Sequence, residues 1–442
     1  DAVLSNDIPT LKEMTRSNNY FPYRYGQALM AMIGKTWGDS VIVPLFRETA
    51  INGYDKAVKK VLGVDEKTLS EMWKTALISN YGPFLTDTID EQTGKRILFD
   101  KNAGDINVSP SISPDGKYVV FLSERDVFSL DLFLANAENG KILKRLSSRI
   151  NRNEIDALSF MESSGTWSPD SRFFAFVVFS EGKNKLVIMD IHRRRNVEEI
   201  EIPGLPSINN PSWSPDGKYI AISGMKSGVS DLYLYEVHSK ELTRITNDSH
   251  AKLQPSWSPN GEYLVYVTDK LLPGQEVKNK INHFNLALMK PGYPGSERVL
   301  DIFPGAANMN PVFSADGKSV YFLSDRDGFR NLYRYDTVND SILQQTRYMR
   351  GISGITAHSP AISVARKTGN IVYSYYTKGN YHILNATPEE FGEFPVNRHE
   401  LNYSAATLPP LHHVDINIVD NSLQAGFYVP EVPKDSFNIV PY

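Results

Sequence analysis

A short turn-forming string recurs along most of this chain and constrains its fold more than any other feature. Clear copies begin at Ser113, Ser168, Ser214, Ser258 and Ser314, and the first reads Ser-Pro-Asp-Gly-Lys. A degraded sixth copy begins at Ser363, and the successive steps are 55, 46, 44, 56 and 49 residues. Ser, Pro, Asp and Gly in this order favour a type I turn. A period of this size is typical of the four-stranded blade of a β-propeller.

Strand-like segments flank every copy of the turn. The segments that follow it, such as 118–122 and 263–267, are rich in aromatic and β-branched residues, and two further apolar segments complete each unit. The pattern predicts a mainly β fold, a six-bladed propeller over residues 86–398. The segment 94–100 looks like a fourth strand without its own first three, so we expect it to complete the last blade and close the ring. The alternative is a stray strand beside a last blade that closes on itself.

The two ends of the chain differ from this pattern. After Asp65, a good N-cap residue, the apolar residues Leu69, Met72, Trp73 and Ala76 recur with helical spacing. Residues 1–85 are therefore predicted to form a small α-helical domain of short amphipathic helices. Residues 399–442 contain several prolines and only short alternating pieces, which predicts an extended C-terminal arm.

Composition excludes several classes of function. The 442 residues carry a formal net charge of −4, which argues against nucleic acid as a main partner. The absence of cysteine excludes thiolate metal sites and a cysteine nucleophile. The sequence has no apolar run long enough for a membrane span, no Gly-x-Ser-x-Gly elbow and no phosphate-binding loop. We therefore expect no catalytic centre, no metal site and no cofactor within these residues.

The repeat unit resembles the TolB-type (PD40, WD40-like) propeller repeat over about residues 88–395. The resemblance rests on Pro-x-Trp-Ser-Pro-Asp-Gly-Lys, the apolar strand after it, and the later Leu-Tyr and Leu-Thr pairs. Propellers of this kind serve as binding platforms, as substrate gates and as caps over peptidase domains, so the resemblance implies a fold more firmly than a function.

The helical start resembles a different family. Residues 21–29, 37–39 and 69–76 are similar to the C-terminal helical part of gluzincin-type (peptidase MA-like) metallopeptidase domains. The His-Glu-x-x-His motif that carries zinc in that family does not occur in this sequence. The resemblance therefore implies a peptidase tail without its metal site, and a generic helical bundle is the alternative. Because the chain begins at Asp1 rather than Met, we expect that an upstream segment has been removed or left out.

One ring of polar residues is a candidate binding site. The residue just before the first-strand proline, or its equivalent, is small or carries an amide in all six units: Ser109, Ser164, Asn210, Gln254, Asn310 and Ser359. Since the inner strands of a propeller line its axis, these residues are expected to surround one mouth of the central channel. The alternative is that they cap backbone groups in crowded loops.

Charged loops between the second and third strands are expected on the same face. The candidate binding residues there are Arg125, Asp126, Asp269, Lys270, Arg326 and Asp327. An arginine at this place suits recognition of a carboxylate or a backbone carbonyl. The alternative is an Asp–Arg pair within one blade that tethers the loop.

These observations lead to three functional hypotheses. The favoured one is a non-catalytic platform of the cell envelope that binds a protein or an extended peptide segment, for example of an outer-membrane or secreted protein. The second is the accessory part of a zinc metallopeptidase whose catalytic motif lies upstream of Asp1. The third is a structural module of an outer-membrane assembly. The resemblance to longer Bacteroidetes-type proteins with helices before a propeller implies a periplasmic or outer-membrane-associated location in a Gram-negative cell.

Overall fold

The chain divides into two compact units. The structure, a computed structural model, describes residues 1–16, 20, 22–85, 92–125, 130–146, 157–158, 163–193, 195–274 and 283–405. Pro9–Ile78 form a helical unit, while Asp1–Ile8 and Ser79–Ala406 belong to the second, mainly β unit. None of the helices in these ranges is both long and apolar enough to cross a membrane.

The helical unit contains the helices that the apolar spacing predicts. Its α-helices are Leu11–Arg16, Pro22–Trp37, Ile42–Asn52, Tyr54–Leu62 and Glu66–Tyr81, with a 3-10 turn at Asp39–Val41. The last helix begins as expected, because Asp65 Oδ1 accepts a hydrogen bond from Thr68 N at 2.7 Å. Leu69 and Trp73 from that helix are buried, and Ser70 Oγ accepts from the backbone N–H of Leu11 at 3.2 Å.

The β unit is a six-bladed propeller, as predicted, and each blade is an antiparallel sheet. From the axis outward, the strands of blade 1 are Asn107–Ile112, Tyr118–Ser123, Asp131–Asn136 and Ile142–Arg145. Blade 2 begins with the two short pieces Ala157–Leu158 and Thr166–Trp167 and continues with Phe173–Ser180, Lys183–Asp190 and Arg195–Glu201. Blade 3 consists of Ser207–Trp213, Tyr219–Lys226, Val229–Glu236 and Leu242–Arg244. Blade 4 consists of Lys252–Trp257, Leu264–Thr268, Asn285–Met289 and Arg298–Val299. Blade 5 consists of Asn308–Phe313, Ser319–Ser324, Asn331–Asp336, Ser341–Gln344 and Phe394–Pro395. Blade 6 consists of Ile362–Val364, Ile371–Thr377, Asn380–Ala386 and Lys95–Leu98.

The ring is joined where the two ends of the propeller sequence meet. Lys95–Leu98 pairs with the third strand of blade 6, with Lys95 opposite Asn385. Blade 1 then packs closely on this strand: a Cβ at Gly140 would lie 1.8 Å from the carbonyl oxygen of Ile97. The outermost strand of blade 6 thus comes from the start of the propeller and its other three strands come from the end.

The recurring string forms a hydrogen-bonded turn between the first and second strands. In blade 1, Ser113 Oγ donates to Asp115 Oδ1 at 2.6 Å and accepts from Tyr118 N at 3.0 Å. Asp115 Oδ1 also accepts from Lys117 N at 3.2 Å. Burial raises the pKa of the Asp115 carboxyl, but these bonds and the charge of Lys117 outweigh burial and hold the pKa below its usual range.

The turns also touch one another around the ring. An added Cβ at Gly217 would meet Pro169 at 3.8 Å, and one at Gly261 would meet Pro215 at 3.6 Å. In blades 3 to 5 the turn glycine therefore lies on the turn proline of the preceding blade, since Gly317 likewise meets Pro259. The positive φ of Gly217, 78°, is a second reason for glycine at this place.

The register of the sixth blade differs from the sequence-based prediction. In blade 1 the backbone N–H of Ser113 donates to the carbonyl of Tyr118, and in blade 6 the equivalent bond runs from Ala365 N to Asn370 O at 2.8 Å. Ala365 therefore occupies the place of the first serine. The predicted start at Ser363 is wrong by two residues, because blade 6 lacks the Ser-Pro-Asp string that fixes the register elsewhere.

Blade 5 has a fifth strand that the sequence pattern does not indicate. Phe394–Pro395 pairs with Ser341–Gln344, and the chain then continues along this blade, where Leu401 and Tyr403 pack against its hydrophobic core. Residues 406–442, most of the predicted C-terminal arm, lie outside the described residues.

Candidate functional site

Backbone bulges mark the predicted mouth residues in four blades. Ser109, Asn210, Gln254 and Asn310 have φ values of 52°, 50°, 50° and 53°, in the left-handed region. At each of them the pairing of the first strand with the second shifts register, and a proline follows. Left-handed backbone costs a non-glycine residue about 1–2 kcal/mol, so the same strain is maintained four times around the axis.

The central channel lies inside these bulges. It is a cavity of about 140 Å³ lined by the first strands of all six blades. The predicted mouth residues Ser164, Asn210, Gln254 and Asn310 belong to its lining. The other two, Ser109 and Ser359, are only 2% and 1% exposed and are not part of the lining.

The position of Ser359 follows from the register of blade 6. Ala361, not Ser359, corresponds to Ser109, because Ala365 corresponds to Ser113. Ser359 instead caps its own loop: its Oγ accepts from Thr356 N at 2.9 Å. Ser359 therefore does not occupy the position in its blade that the other five predicted residues occupy in theirs.

Two amide side chains of the mouth connect three blades. Gln254 Oε1 accepts from the backbone N–H of Asn310 at 2.7 Å, and Gln254 Nε2 donates to the carbonyl of His358 at 2.7 Å. Asn310 Oδ1 in turn accepts from Ala361 N at 3.0 Å and from Arg330 Nη2 at 3.1 Å. These amides satisfy buried backbone groups of blades 5 and 6, which leaves Asn310 Nδ2 as the amide group with no bond to the described residues.

Arg326 binds a segment of its own chain. Its guanidinium donates to the carbonyl of Glu400, at 3.1 Å from Nε and 2.6 Å from Nη2. The backbone N–H of Asn402 donates to the carbonyl of Arg326 at 2.8 Å. The guanidinium also lies 4.9 Å from the ring centroid of Phe303. This loop of blade 5 therefore holds the backbone of residues 400–402 by arginine and main-chain hydrogen bonds.

Its neighbour Asp327 tethers the same loop within blade 5. The carboxylate accepts from Phe329 N at 3.1 Å, Gln344 Nε2 at 3.2 Å and Tyr333 Oη at 3.3 Å. Burial raises the pKa of Asp327 despite these donors, and burial together with this carboxylate raises the pKa of Tyr333.

The charged residues of blade 4 also have partners within the blade. Asp269 Oδ1 accepts from Ala251 N at 2.8 Å and lies 3.2 Å from His250 Nδ1. Lys270 forms ion pairs with Glu297 and, at 3.5 Å, with Asp248. The hydrogen bond to Glu297 raises the pKa of Lys270.

In blade 1 the side chain of Arg125 is exposed, and Asp126 lies outside the described residues. Of the predicted loop charges that the structure describes, Arg125 is thus the one with a largely solvated side chain. Among the described residues, no three His, Asp or Glu side chains come together as a metal site.

Arg366, the one charged residue of the described channel lining, is not among the site residues predicted from the sequence. It stands in blade 6 where blades 1 to 4 have the turn proline. A signal was available, since the string Arg366-Lys367-Thr368-Gly369 shows a cation beside a strand end in the degraded copy. The two-residue error in register concealed its equivalence to proline.

Comparison with known proteins agrees with the propeller fold. Residues 150–283 match a family model described as TolB beta propeller domain. That range includes blade 3 and leaves out the helical unit, whose resemblance to a gluzincin tail stays a prediction. No curated protein sequence matches the chain.

Solved propellers are similar in fold but distant in sequence. TolB from Acinetobacter baumannii is 14% identical with a TM-score of 0.43, and the match covers 77% of this chain and 73% of that one. Putative TolB from Agrobacterium tumefaciens is 19% identical with a TM-score of 0.45, over 66% of this chain and 92% of that one. An oligogalacturonate lyase from Vibrio parahaemolyticus is 13% identical with a TM-score of 0.46, and the match covers 70% of this chain and 96% of that one.

Proposed function

We propose that this chain is a non-catalytic binding platform of the cell envelope, periplasmic or outer-membrane associated. Its ligand is an extended peptide segment of another protein, which enters the channel at the bulged mouth. The observation that carries this proposal is the polar lining contributed by Ser164, Asn210, Gln254 and Asn310 at one end of a continuous cavity. Extended peptides bind through main-chain hydrogen bonds, for which hydroxyl and amide groups are suitable partners.

The loop of blade 5 supports the same proposal. Arg326 already binds the backbone of residues 400–402 in the manner proposed for a ligand, through Glu400 O and Asn402 N. Asn310 Nδ2, which has no bond to the described residues, and the exposed Arg125 are further donors available to a peptide. The match to the TolB beta propeller family supports an envelope location.

The proposal can be tested with single-cysteine variants, because the natural sequence contains no cysteine that would also react. The variant Ser164→Cys places a single thiol on the channel wall, and Val338→Cys places one on an outer turn of blade 5 whose residue is 73% exposed. A peptide selected from an unstructured library is added at about ten times its Kd. We expect it to slow alkylation of the thiol at position 164 about tenfold and to leave the rate at position 338 unchanged. Equal rates at position 164 with and without peptide contradict the proposal.

A further inference from the structure

Arg366 projects into the channel from a position that is proline in other blades. The turn prolines Pro114 and Pro259 belong to the channel lining at the end opposite the bulged mouth. Arg366 occupies the equivalent place in blade 6, because Ala365 N bonds Asn370 O as Ser113 N bonds Tyr118 O. The blade that lost the proline has therefore gained a long cationic side chain at the turn end of the channel.

The guanidinium crosses the channel and is only partly satisfied. Nη2 donates to the carbonyl of Trp213 in blade 3, the blade opposite blade 6, at 2.7 Å. Nη1 is buried and has no hydrogen-bond partner among the described residues. Burial lowers the pKa of Arg366 to about 10, and no carboxylate of the described residues offsets this effect.

In the part of the chain that the structure describes, no carboxylate lines the channel beside this cation. The described residues that line the channel include serine, threonine, asparagine, glutamine, proline, tryptophan and aliphatic side chains, with Arg366 as the one charged member. The carboxylates of the turns in the adjacent blades are engaged locally, since Ser113 Oγ donates to Asp115 Oδ1 and Ser314 Oγ to Asp316 Oδ1, both at 2.6 Å. A cation that is removed from water without a counter-ion is costly, and this cost is recovered when an anion binds beside it.

We propose that the turn end of the channel is a binding site for a single carboxylate group, held by the guanidinium of Arg366. A planar guanidinium matches a carboxylate in shape and charge. One cation in a cavity of about 140 Å³ suits a monoanion on a small or slender carrier better than a phosphate, for which the described lining offers no second cation. The carrier is either a small carboxylic acid or the C-terminus of a peptide.

Tryptophans next to the site provide a signal for binding. Trp167 and Trp257 line the channel, and their Nε1 groups donate to Ser111 O and Ser212 O at 3.0 and 3.1 Å. Because both indoles bridge neighbouring blades, they are fixed in position. A carboxylate that enters the channel changes their surroundings and hence their fluorescence.

The experiment titrates the protein with sodium acetate, with sodium chloride as the control at equal ionic strength. Wild type, Arg366→Met, Arg366→Lys and the control Lys367→Met, at an exposed position in the same turn, are compared by tryptophan fluorescence and by Tm. We expect saturable binding of acetate and a rise of Tm in wild type and in Lys367→Met. We expect at least about a tenfold weaker response in Arg366→Met and an intermediate one in Arg366→Lys.

The result separates a binding site from a structural strut. If Arg366 only joins blades 6 and 3, Arg366→Met lowers Tm but the acetate response of wild type is absent or equals that of the variant, which overturns the proposal. If Arg366→Met does not fold, the comparison of wild type with Arg366→Lys decides in the same way. A tripeptide with a free C-terminus that binds more tightly than both acetate and its own amide identifies a peptide terminus as the ligand, and acetate as the tighter binder identifies a free acid. This inference rests on Arg366 and not on the bulged mouth, so it can fail without the proposed function failing, and the reverse.

Discussion

Gln254 Oε1 accepts the backbone N–H of Asn310 at 2.7 Å, so that a side chain of blade 4 satisfies a buried main-chain group of blade 5. The same amide donates to the carbonyl of His358 before blade 6. One side chain at the mouth of the channel thus connects three consecutive blades. The mouth residues can therefore cap backbone groups and still contact a ligand, because Asn310 Nδ2 has no bond to the described residues.

Replacement of Gln254 should therefore reduce stability. Gln254→Leu keeps the volume but leaves Asn310 N and His358 O without partners, and we expect a loss of about 1–3 kcal/mol in the free energy of unfolding. Gln254→Glu retains the acceptor and should lose less. Urea denaturation measures the change, with Lys141→Ala at an exposed turn as the control. Equal stability of Gln254→Leu and Lys141→Ala would show that the amide is not needed between the blades.

The junction between blades 1 and 6 is expected to be intolerant of a methyl group. Gly140→Ala places Cβ 1.8 Å from Ile97 O, whereas Gly228→Ala meets nothing within 4 Å. Both glycines have positive φ, 71° and 80°, so both variants carry the same backbone strain of about 1–2 kcal/mol. We expect Gly140→Ala to be the less stable variant by at least about 2 kcal/mol, since backbone must move. Equal Tm values for the two variants would contradict the closure of the ring at Lys95–Leu98.

The bond from Arg326 to Glu400 is expected to protect the segment around Glu400 from hydrogen exchange. Arg326→Gln removes the guanidinium that holds the carbonyl of Glu400, so the amide of Asn402 should exchange faster. Arg125→Gln changes the exposed arginine of the corresponding loop in blade 1 and is the matched control. Exchange measured by mass spectrometry over residues 396–405 should rise in the first variant only. Unchanged exchange in Arg326→Gln would mean that apolar packing of Leu401 and Tyr403 suffices to hold the segment.

Asp190 predicts a dependence of stability on pH. Burial raises the pKa of this carboxyl, but hydrogen bonds from Arg193 N, His192 N and the guanidinium of Arg172 outweigh burial and lower it. A carboxyl whose pKa is lowered in the folded state stabilises the protein when the pH lies above the pKa of that carboxyl in the unfolded chain. This contribution is lost as the pH falls through the folded-state pKa.

Asp190→Asn should therefore lower Tm at pH 7, and the difference from wild type should shrink below about pH 4. Glu138→Gln, at an exposed turn position, serves as the control and should have little effect at either pH. A difference in Tm for Asp190→Asn that is constant from pH 7 to the acid limit would exclude an ionised Asp190 as its cause.

The repeat made the fold predictable, and its local failures explain what was missed. Five clear copies of the string set the register of five blades, because in each copy the first serine donates to the Asp or Asn side chain two residues later. Blade 6 lacks the string, so the predicted equivalence of Ser359 failed there and Arg366 went unnoticed. The left-handed backbone of Asn210 was not predicted, because the pattern of residue types does not encode φ. The partner of Arg326 lies 74 residues away in sequence, which only the tertiary fold brings close.

The most direct test of the binding platform is the affinity of one selected peptide for the wild-type protein and two tyrosine variants. Ser164→Tyr fills the channel from its wall, and Val338→Tyr adds the same side chain to an exposed turn. We predict that Ser164→Tyr weakens binding at least about tenfold, a loss of about 1.4 kcal/mol, with Tm held close to that of wild type. Val338→Tyr should bind as wild type does. If both variants retain the affinity of wild type, the channel is not the binding site.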